Sequence, residues 1–135
     1  MVVGLITPEE QKHIFDRLLE YYKNLYPDIL FKTEQKMLSK DEIAELQYTY
    51  AGEEAKATAE EKMLLIKEAI GQGYNAPLII LKKKNKNIIL DGHRRVHFAF
   101  QYSLGWRALI ISPQKDVEFG IEKVILGKVK KVFEK

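Results

Sequence analysis

The feature that most constrains the fold is a short apolar segment that ends at Asp91-Gly92 and leads directly into a helical pattern. The first N–H groups of a helix lack partners within it and carry partial positive charge. Gly92 lets a ligand approach the backbone closely, and the arginines add forked donors that match phosphate oxygens. We name Asp91, Gly92, His93, Arg94 and Arg95 the 91–95 turn. Its composition predicts a phosphate-binding site.

A repeated capping pattern predicts three helices in the N-terminal part of the chain. In each case a Ser or Thr is followed three residues later by Glu, so that hydroxyl and carboxylate each accept a hydrogen bond from an otherwise unpaired N–H group. The pairs are Thr7 with Glu10, Ser39 with Glu42, and Thr58 with Glu61. With the apolar periodicity that follows them, they predict helices over residues 8–25, 40–50 and 59–70.

The C-terminal part alternates strand and helix patterns. Short apolar segments on either side of a polar turn are typical of a β-hairpin, and apolar residues at helical spacing indicate amphipathic helices. The predicted elements are a hairpin with strands at 77–81 and 87–90, a helix over 93–104, a strand over 107–112, and a helix from 116 to near the C-terminus.

These patterns and the composition together predict an α+β fold, a small mixed β-sheet surrounded by helices. The chain has 135 residues, of which 46% are hydrophobic and 30% charged, as in an ordinary globular domain. We expect an acidic helical N-terminal extension, residues 1–57, and an α/β module, residues 58–135, within one compact domain. Residues 30–38 are the expected linker between them.

Several classes of protein are disfavoured by composition. No apolar run approaches the roughly 20 residues that span a bilayer, and the N-terminus lacks the basic flank of a secretory signal, so we expect a cytoplasmic protein without a membrane partner. The absence of cysteine excludes disulfides and thiolate chemistry. Abundant Lys, Glu and Ile without Cys favour a thermophilic protein.

Positive charge is concentrated in the second half of the chain. Residues 1–60 carry 7 basic and 12 acidic residues, a net −5, whereas residues 61–135 carry 15 and 7, a net +8. This asymmetry favours a polyanionic partner. The lysine hairpin, named for the basic residues at its tip, is expected to bind the DNA backbone together with Arg94 and Arg95, without sequence specificity. The alternative is that its lysines only keep the hairpin soluble. These residues are Lys82, Lys83, Lys84 and Lys86.

A metal site is a further hypothesis for the 91–95 turn. His93 and His97 are four residues apart, so a helix places them on one face, and Asp91 is close in sequence. Two imidazoles and a carboxylate can bind Mg²⁺ or another divalent metal, which would activate water for phosphodiester hydrolysis. The alternative is that His97 packs beneath the helix or faces solvent.

The order of these motifs resembles the ParB/sulfiredoxin-like superfamily over residues 61–112, with Leu104-Gly105 at the end of the helix after the turn. The resemblance implies that Gly92, His93, Arg94 and Arg95 bind nucleotide phosphates and that Asp91 lies close to a metal or to the reacting phosphate. Sulfiredoxin chemistry is excluded because it needs a cysteine. Free serine kinases of the superfamily carry Asp-Gly-His-His-Arg, in which this chain replaces the second histidine with Arg94, and a substrate lobe without a clear counterpart here.

Three functions remain open from the sequence. The leading hypothesis is a ParB-like protein that binds DNA non-specifically, and it leaves open whether the protein is also a metal-dependent nuclease. The second is a small-molecule kinase that uses ATP or ADP with Mg²⁺. In either enzyme Asp91 and His93 are the expected catalytic residues. The third is a switch that binds ATP, ADP or CTP and recruits a protein partner, or a second copy, through the N-terminal helices.

Overall fold

A six-stranded mixed sheet organises the chain. The structure, a computed structural model, describes residues 5–49 and 56–133. The strand order is β1-β5-β3-β4-β2-β6, in which β3 pairs with β5 and β2 with β4 in parallel and the other neighbours are antiparallel. The strands are β1 (Phe31–Leu38), β2 (Gln47–Thr49), β3 (Leu78–Lys83), β4 (Lys86–Asp91), β5 (Trp106–Pro113) and β6 (Ile125–Lys128).

Helices cover both faces of this sheet. On one face α2 (Lys40–Glu45), α3 (Lys56–Gly71), α4 (His93–Gln101) and α5 (Val129–Val132) share a core with Ile80 and Ile110. On the other face α1 (Pro8–Leu25) packs through Phe15 and Tyr22 against Ile79 and Leu109. The predicted α+β class is therefore confirmed. None of the described helices is both long and apolar enough to cross a membrane.

The capping boxes at the first two helices are confirmed. The Thr7 hydroxyl accepts from Glu10 N at 3.1 Å while Thr7 N donates to the Glu10 carboxylate at 3.0 Å, and Ser39 and Glu42 repeat the arrangement. Helix α1 has the predicted bounds. Helix α2 is shorter than predicted, because Leu46 is extended and β2 then pairs with β4 and β6. Of the predicted span, position 50 lies outside the described residues.

The third predicted capping box, at Thr58 and Glu61, is wrong. Helix α3 already includes Lys56, so Thr58 lies inside the helix and is not its N-cap. The end of the predicted helix is correct to within one residue, since α3 ends at Gly71.

The expected linker over residues 30–38 is wrong, because this segment forms β1. Its inner residues are exposed on both faces, so the sequence lacks the alternation of a half-buried strand. What holds β1 in place is regular antiparallel pairing with β5. Strands β1 and β2 also show that the extension over residues 1–57 is not purely helical and that it shares its sheet with the remainder of the chain.

The hairpin of β3 and β4 and the following strand are confirmed with longer bounds, whereas helix α4 ends at Gln101, earlier than predicted. The predicted C-terminal helix is wrong. A 3₁₀ turn (Ile121–Val124), β6 and the short α5 occupy that region. Gly120 and Gly127 have φ values of 91° and 131°, which are incompatible with a right-handed helix.

Candidate functional site

Gly92 joins β4 to α4 in a conformation that only glycine fits. It is buried, with φ 104° and ψ 27°. A Cβ added there would lie 2.7 Å from Leu78 Cδ2 and 3.1 Å from Arg95 Nη2. The predicted reason for glycine was close approach of a ligand. The structure supplies a different one, because the missing side chain makes room for Leu78 and Arg95.

Arg95 is a buried residue rather than an exposed phosphate fork. The residue is 6% exposed, and Nη1 donates to Pro77 O at 2.8 Å and to Ala76 O at 3.1 Å. No carboxylate within the described ranges lies at ion-pair distance from it, and burial lowers its pKa. Arg95 is therefore a cation held by neutral carbonyl groups directly behind Gly92.

The same two carbonyl groups receive donors from two other elements. Trp106 Nε1 donates to Ala76 O at 2.7 Å, and Gln11 Nε2 donates to Pro77 O at 3.0 Å. Hydrogen bonds therefore connect the two residues before β3 to α1, α4 and β5. Sequence patterns gave no indication of this convergence, since its members are far apart along the chain.

His93 is held in a defined orientation by β2. Its Nε2 lies 2.6 Å from Thr49 Oγ1, and the ring packs edge-on against Tyr48 with centroids 5.1 Å apart. The Thr49 hydroxyl also donates to Ile89 O at 2.9 Å. A hydroxyl has one proton to donate, so Thr49 must accept from His93 Nε2–H. A neutral His93 therefore carries its proton on Nε2 and a lone pair on Nδ1.

Burial favours this neutral form. It lowers the pKa of His93, and the positive charges of Arg94 and Arg95 lower it further, whereas Asp91 raises it. Asp91 and Arg94 are themselves half-buried, at the end of β4 and in the first turn of α4. The sequence singled out His93 but missed Thr49 and Tyr48, which reach it only through the parallel pairing of β2 with β4.

The predicted metal ligands do not form a metal-binding cluster. Among the side chains that the structure describes, no group of three His, Asp or Glu is arranged to hold an ion, and Asp91, His93 and His97 all belong to this set. The His97 ring instead stacks on Phe133, with centroids 3.9 Å apart and planes 7° from parallel. Burial lowers the pKa of His97. The alternative interpretation, in which His97 packs beneath the helix, fits these contacts.

The lysine hairpin lies at the opposite end of β4 from the 91–95 turn. Five residue steps along a strand correspond to about 17 Å, so the two regions are separate basic sites. Lys83 contacts Glu122 and lies 3.6 Å from Asp116, and Lys84 Nζ lies 2.9 Å from the other oxygen of Asp116. Lys82 and Lys86 are exposed and form no ion pair with any residue that the structure describes.

Comparison of the chain with family models, with curated proteins and with solved structures finds no match. The ParB/sulfiredoxin-like resemblance therefore stays a prediction that depends on the residues around Asp91.

Proposed function

We propose that the protein binds phosphate groups at the 91–95 turn, with the DNA backbone as the favoured ligand. One observation carries this proposal, the buried guanidinium of Arg95 behind Gly92 with only carbonyl partners within the described ranges. Buried charges in proteins are usually paired. Asp91 raises the pKa of Arg95 but forms no direct ion pair with it, and an anion bound at the turn would add negative charge close to the guanidinium.

The start of α4 adds further positive electrostatic potential at the 91–95 turn. Gly92 has no side chain with which to cap the helix, and the first N–H groups of a helix attract anions. Arg94 and His93 are half-buried in the same turn and are our candidates for direct contact with a phosphate. Arg95 acts from behind the backbone as a fixed charge, and it is a positioning residue in this scheme.

Net charge and distance favour a polymer over a mononucleotide. Residues 61–135 carry a net +8, from 15 basic and 7 acidic residues. The second basic site, at Lys82 and Lys86, is about 17 Å from the turn, or about five nucleotide steps of 3.4 Å. A mononucleotide reaches only one of these sites, whereas a duplex is long enough to reach both. Divalent-metal-dependent cleavage of that duplex stays a prediction.

A phosphotransfer function is the second candidate, and one observation favours it. The contact with Thr49 leaves Nδ1 of a neutral His93 unprotonated, as a general base requires. In this scheme the turn binds ATP or ADP with Mg²⁺, and His93 or Asp91 accepts a proton from the phosphate acceptor. Sequence-independent DNA binding does not need that base.

Binding titrations of point variants test the proposal. A labelled duplex of about 20 base pairs and, separately, ATP, ADP and CTP with Mg²⁺ are titrated into each protein. We expect Arg94→Gln to weaken duplex binding about tenfold, because it removes a charge-assisted contact. Arg95→Met should weaken it less and change the free energy of unfolding by about 1 kcal/mol or less, since Trp106 and Gln11 still donate to both carbonyls.

Arg17→Gln is the matched control, because Arg17 is an exposed arginine on α1, which packs on the other face of the sheet. Nucleotide binding that is lost in Arg94→Gln, without duplex binding, would replace the proposal with the phosphotransfer candidate. If Arg94→Gln and Arg17→Gln bind every ligand like the wild type, the turn is not a binding site.

A further inference from the structure

The outer edge of β1 is the longest regular strand edge that the described residues leave unpaired. Strand β1 has eight residues and ends the sheet, and it pairs with β5 without a register shift. The opposite edge strand, β6, has only four residues and joins β2 through an irregular register. Residues 32–37 are all exposed, so neither face of β1 is buried along this stretch.

The hydrogen bonds to β5 decide which residues of β1 direct their main-chain N–H and C=O groups to the free edge. Leu30 O accepts from Gln114 N at 2.9 Å, and this pair continues the register in which Lys32 faces Ser112. In an antiparallel ladder the hydrogen-bonded positions alternate, so the even-numbered residues of β1 bond to β5. The N–H and C=O groups of Thr33, Gln35 and Met37 are then directed to the free edge.

We infer that this edge pairs with β1 of a second copy of the chain, antiparallel and centred on Gln35. The outward groups of Thr33 and Met37 then exchange hydrogen bonds across the interface, and Gln35 bonds to Gln35 of the second copy. This register satisfies the alternation of an antiparallel ladder and extends both sheets into one. It also places Met37, which is 66% exposed, opposite Thr33 of the second copy.

The charge pattern of β1 selects this register. Along the strand the charged residues are Lys32, Glu34 and Lys36. Lys36 Nζ lies 2.7 Å from Glu42 Oε2 of the same chain, so it would be shared between Glu42 and the second copy. Pairing centred on Gln35 places Glu34 of each copy directly opposite Lys36 of the other, in positions without main-chain hydrogen bonds, where side chains approach most closely.

Other symmetric registers are less favourable. Centring on Glu34 places the two Glu34 side chains opposite each other and Lys32 opposite Lys36, so like charges meet. Centring on Thr33 also pairs opposite charges, Lys32 with Glu34, but it joins only residues 31–35 within the strand. Charged residues usually protect an exposed strand edge from pairing. Here they exclude one register and stabilise another.

The oligomeric state in solution tests the inference. Sedimentation velocity of the full chain from about 1 µM to about 1 mM should show a monomer–dimer equilibrium. Gln35→Pro should abolish the dimer, because proline cannot donate and adds bulk at the centre of the interface. The N–H group removed in Gln35→Pro is not bonded to β5, so the monomer should keep its fold, as circular dichroism can verify. Gln35→Thr is the matched control and should still dimerise.

A charge swap tests the register, with circular dichroism as the check on folding, because Lys36 Nζ also lies 2.7 Å from the Glu42 carboxylate that caps α2. Glu34→Lys alone and Lys36→Glu alone should each weaken self-association about tenfold, because like charges then face each other at both symmetric positions. A mixture of the two variants should form a heterodimer, because opposite charges then meet at both positions. A monomeric wild type throughout the concentration range would overturn the inference, and would leave the edge to some other partner. Dimers that survive Gln35→Pro, or a mixture that does not associate, would also overturn it.

Discussion

The 91–95 turn and the lysine hairpin are the two basic regions at the ends of β4, and they differ in the partners of their positively charged side chains. At the turn, the Arg95 guanidinium is buried and donates to neutral carbonyls. At the hairpin, Lys83 and Lys84 meet Glu122 and Asp116. Within the described residues, the buried Arg95 has no direct ion pair and only the more distant charge of Asp91 opposes it, whereas Lys83 and Lys84 have carboxylate partners and the exposed Lys82 and Lys86 have none. Solvation alone favours a direct ion pair at the buried Arg95 more than at the exposed Lys84. A count of basic residues therefore overstates the hairpin as an anion site and understates the turn.

The two regions also differ in how they accommodate a left-handed residue. Gly92 has φ 104° in a buried position, whereas Lys84 has φ 51° in the exposed turn between β3 and β4. At Gly92 an added Cβ would meet Leu78 at 2.7 Å. At the hairpin, a side chain is already present. Both residues have a positive φ, but only at Gly92 do the neighbouring atoms leave no room for a side chain.

The largest effect we expect is the loss of stability in Gly92→Ala. Backbone strain and overpacking against Leu78 and Arg95 each cost about 1–3 kcal/mol, so the free energy of unfolding should fall by about 3 kcal/mol. Urea denaturation measures it. Lys84→Gly is the comparison at the hairpin and should change stability by less than about 1 kcal/mol, because relief of strain offsets a weak surface ion pair. Equal losses in both variants would contradict the difference between the regions.

The contrast between these regions also shows which features of the fold can be predicted from the sequence. The strand, the Asp-Gly junction and the helix after it could be predicted because each is a local pattern. The partners of Arg95 could not, since Ala76, Trp106 and Gln11 come from different elements brought together only by the sheet. For the same reason the chain gave no sign that the second arginine of the pair is buried.

Strands β1 and β2 were missed for related physical reasons. The side chains of β1 are exposed, so hydrogen bonds to β5 rather than apolar burial fix its conformation. Strand β2 continues what reads as a helix pattern, and its pairing with β4 overrides that local preference. This second error hid Thr49 and Tyr48 from the candidate site, because their place beside His93 depends on the strand.

The second effect is a difference in pH dependence between the two regions. Burial holds the folded-state pKa of His93 below the ordinary value of 6.5. As the pH falls below about 6.5 the unfolded chain binds this proton first, so folding loses up to about 1.4 kcal/mol per pH unit from this group. At the hairpin, the hydrogen bond from Lys84 lowers the pKa of Asp116 below 3.8. Its contribution is therefore present above about pH 3.8 and is lost only as the pH falls further.

Thermal unfolding of wild type and His93→Gln between pH 7.5 and pH 5 tests this difference (roughly the window in which histidine titrates). We expect the wild type to lose more stability than His93→Gln over this interval, because glutamine does not titrate. His13→Gln, at an exposed position on α1, is the matched control for the replacement of a histidine by glutamine. Identical pH profiles for His93→Gln and wild type would show that His93 binds its proton equally well in both states.

The smallest effect separates the exposed lysines of the hairpin from the compensated ones. If DNA contacts this region, Lys82→Gln with Lys86→Gln should weaken duplex binding about threefold and reduce the salt slope by about 0.9 for each phosphate that is no longer neutralised. Lys83→Gln should leave affinity unchanged, because Glu122 and Asp116 already hold its ammonium group. Affinity for ATP should not respond to any of the three, since the hairpin is about 17 Å from the turn. A larger decrease in affinity for the hairpin double variant than for Arg94→Gln would reverse the ranking and make the hairpin the principal DNA-binding region.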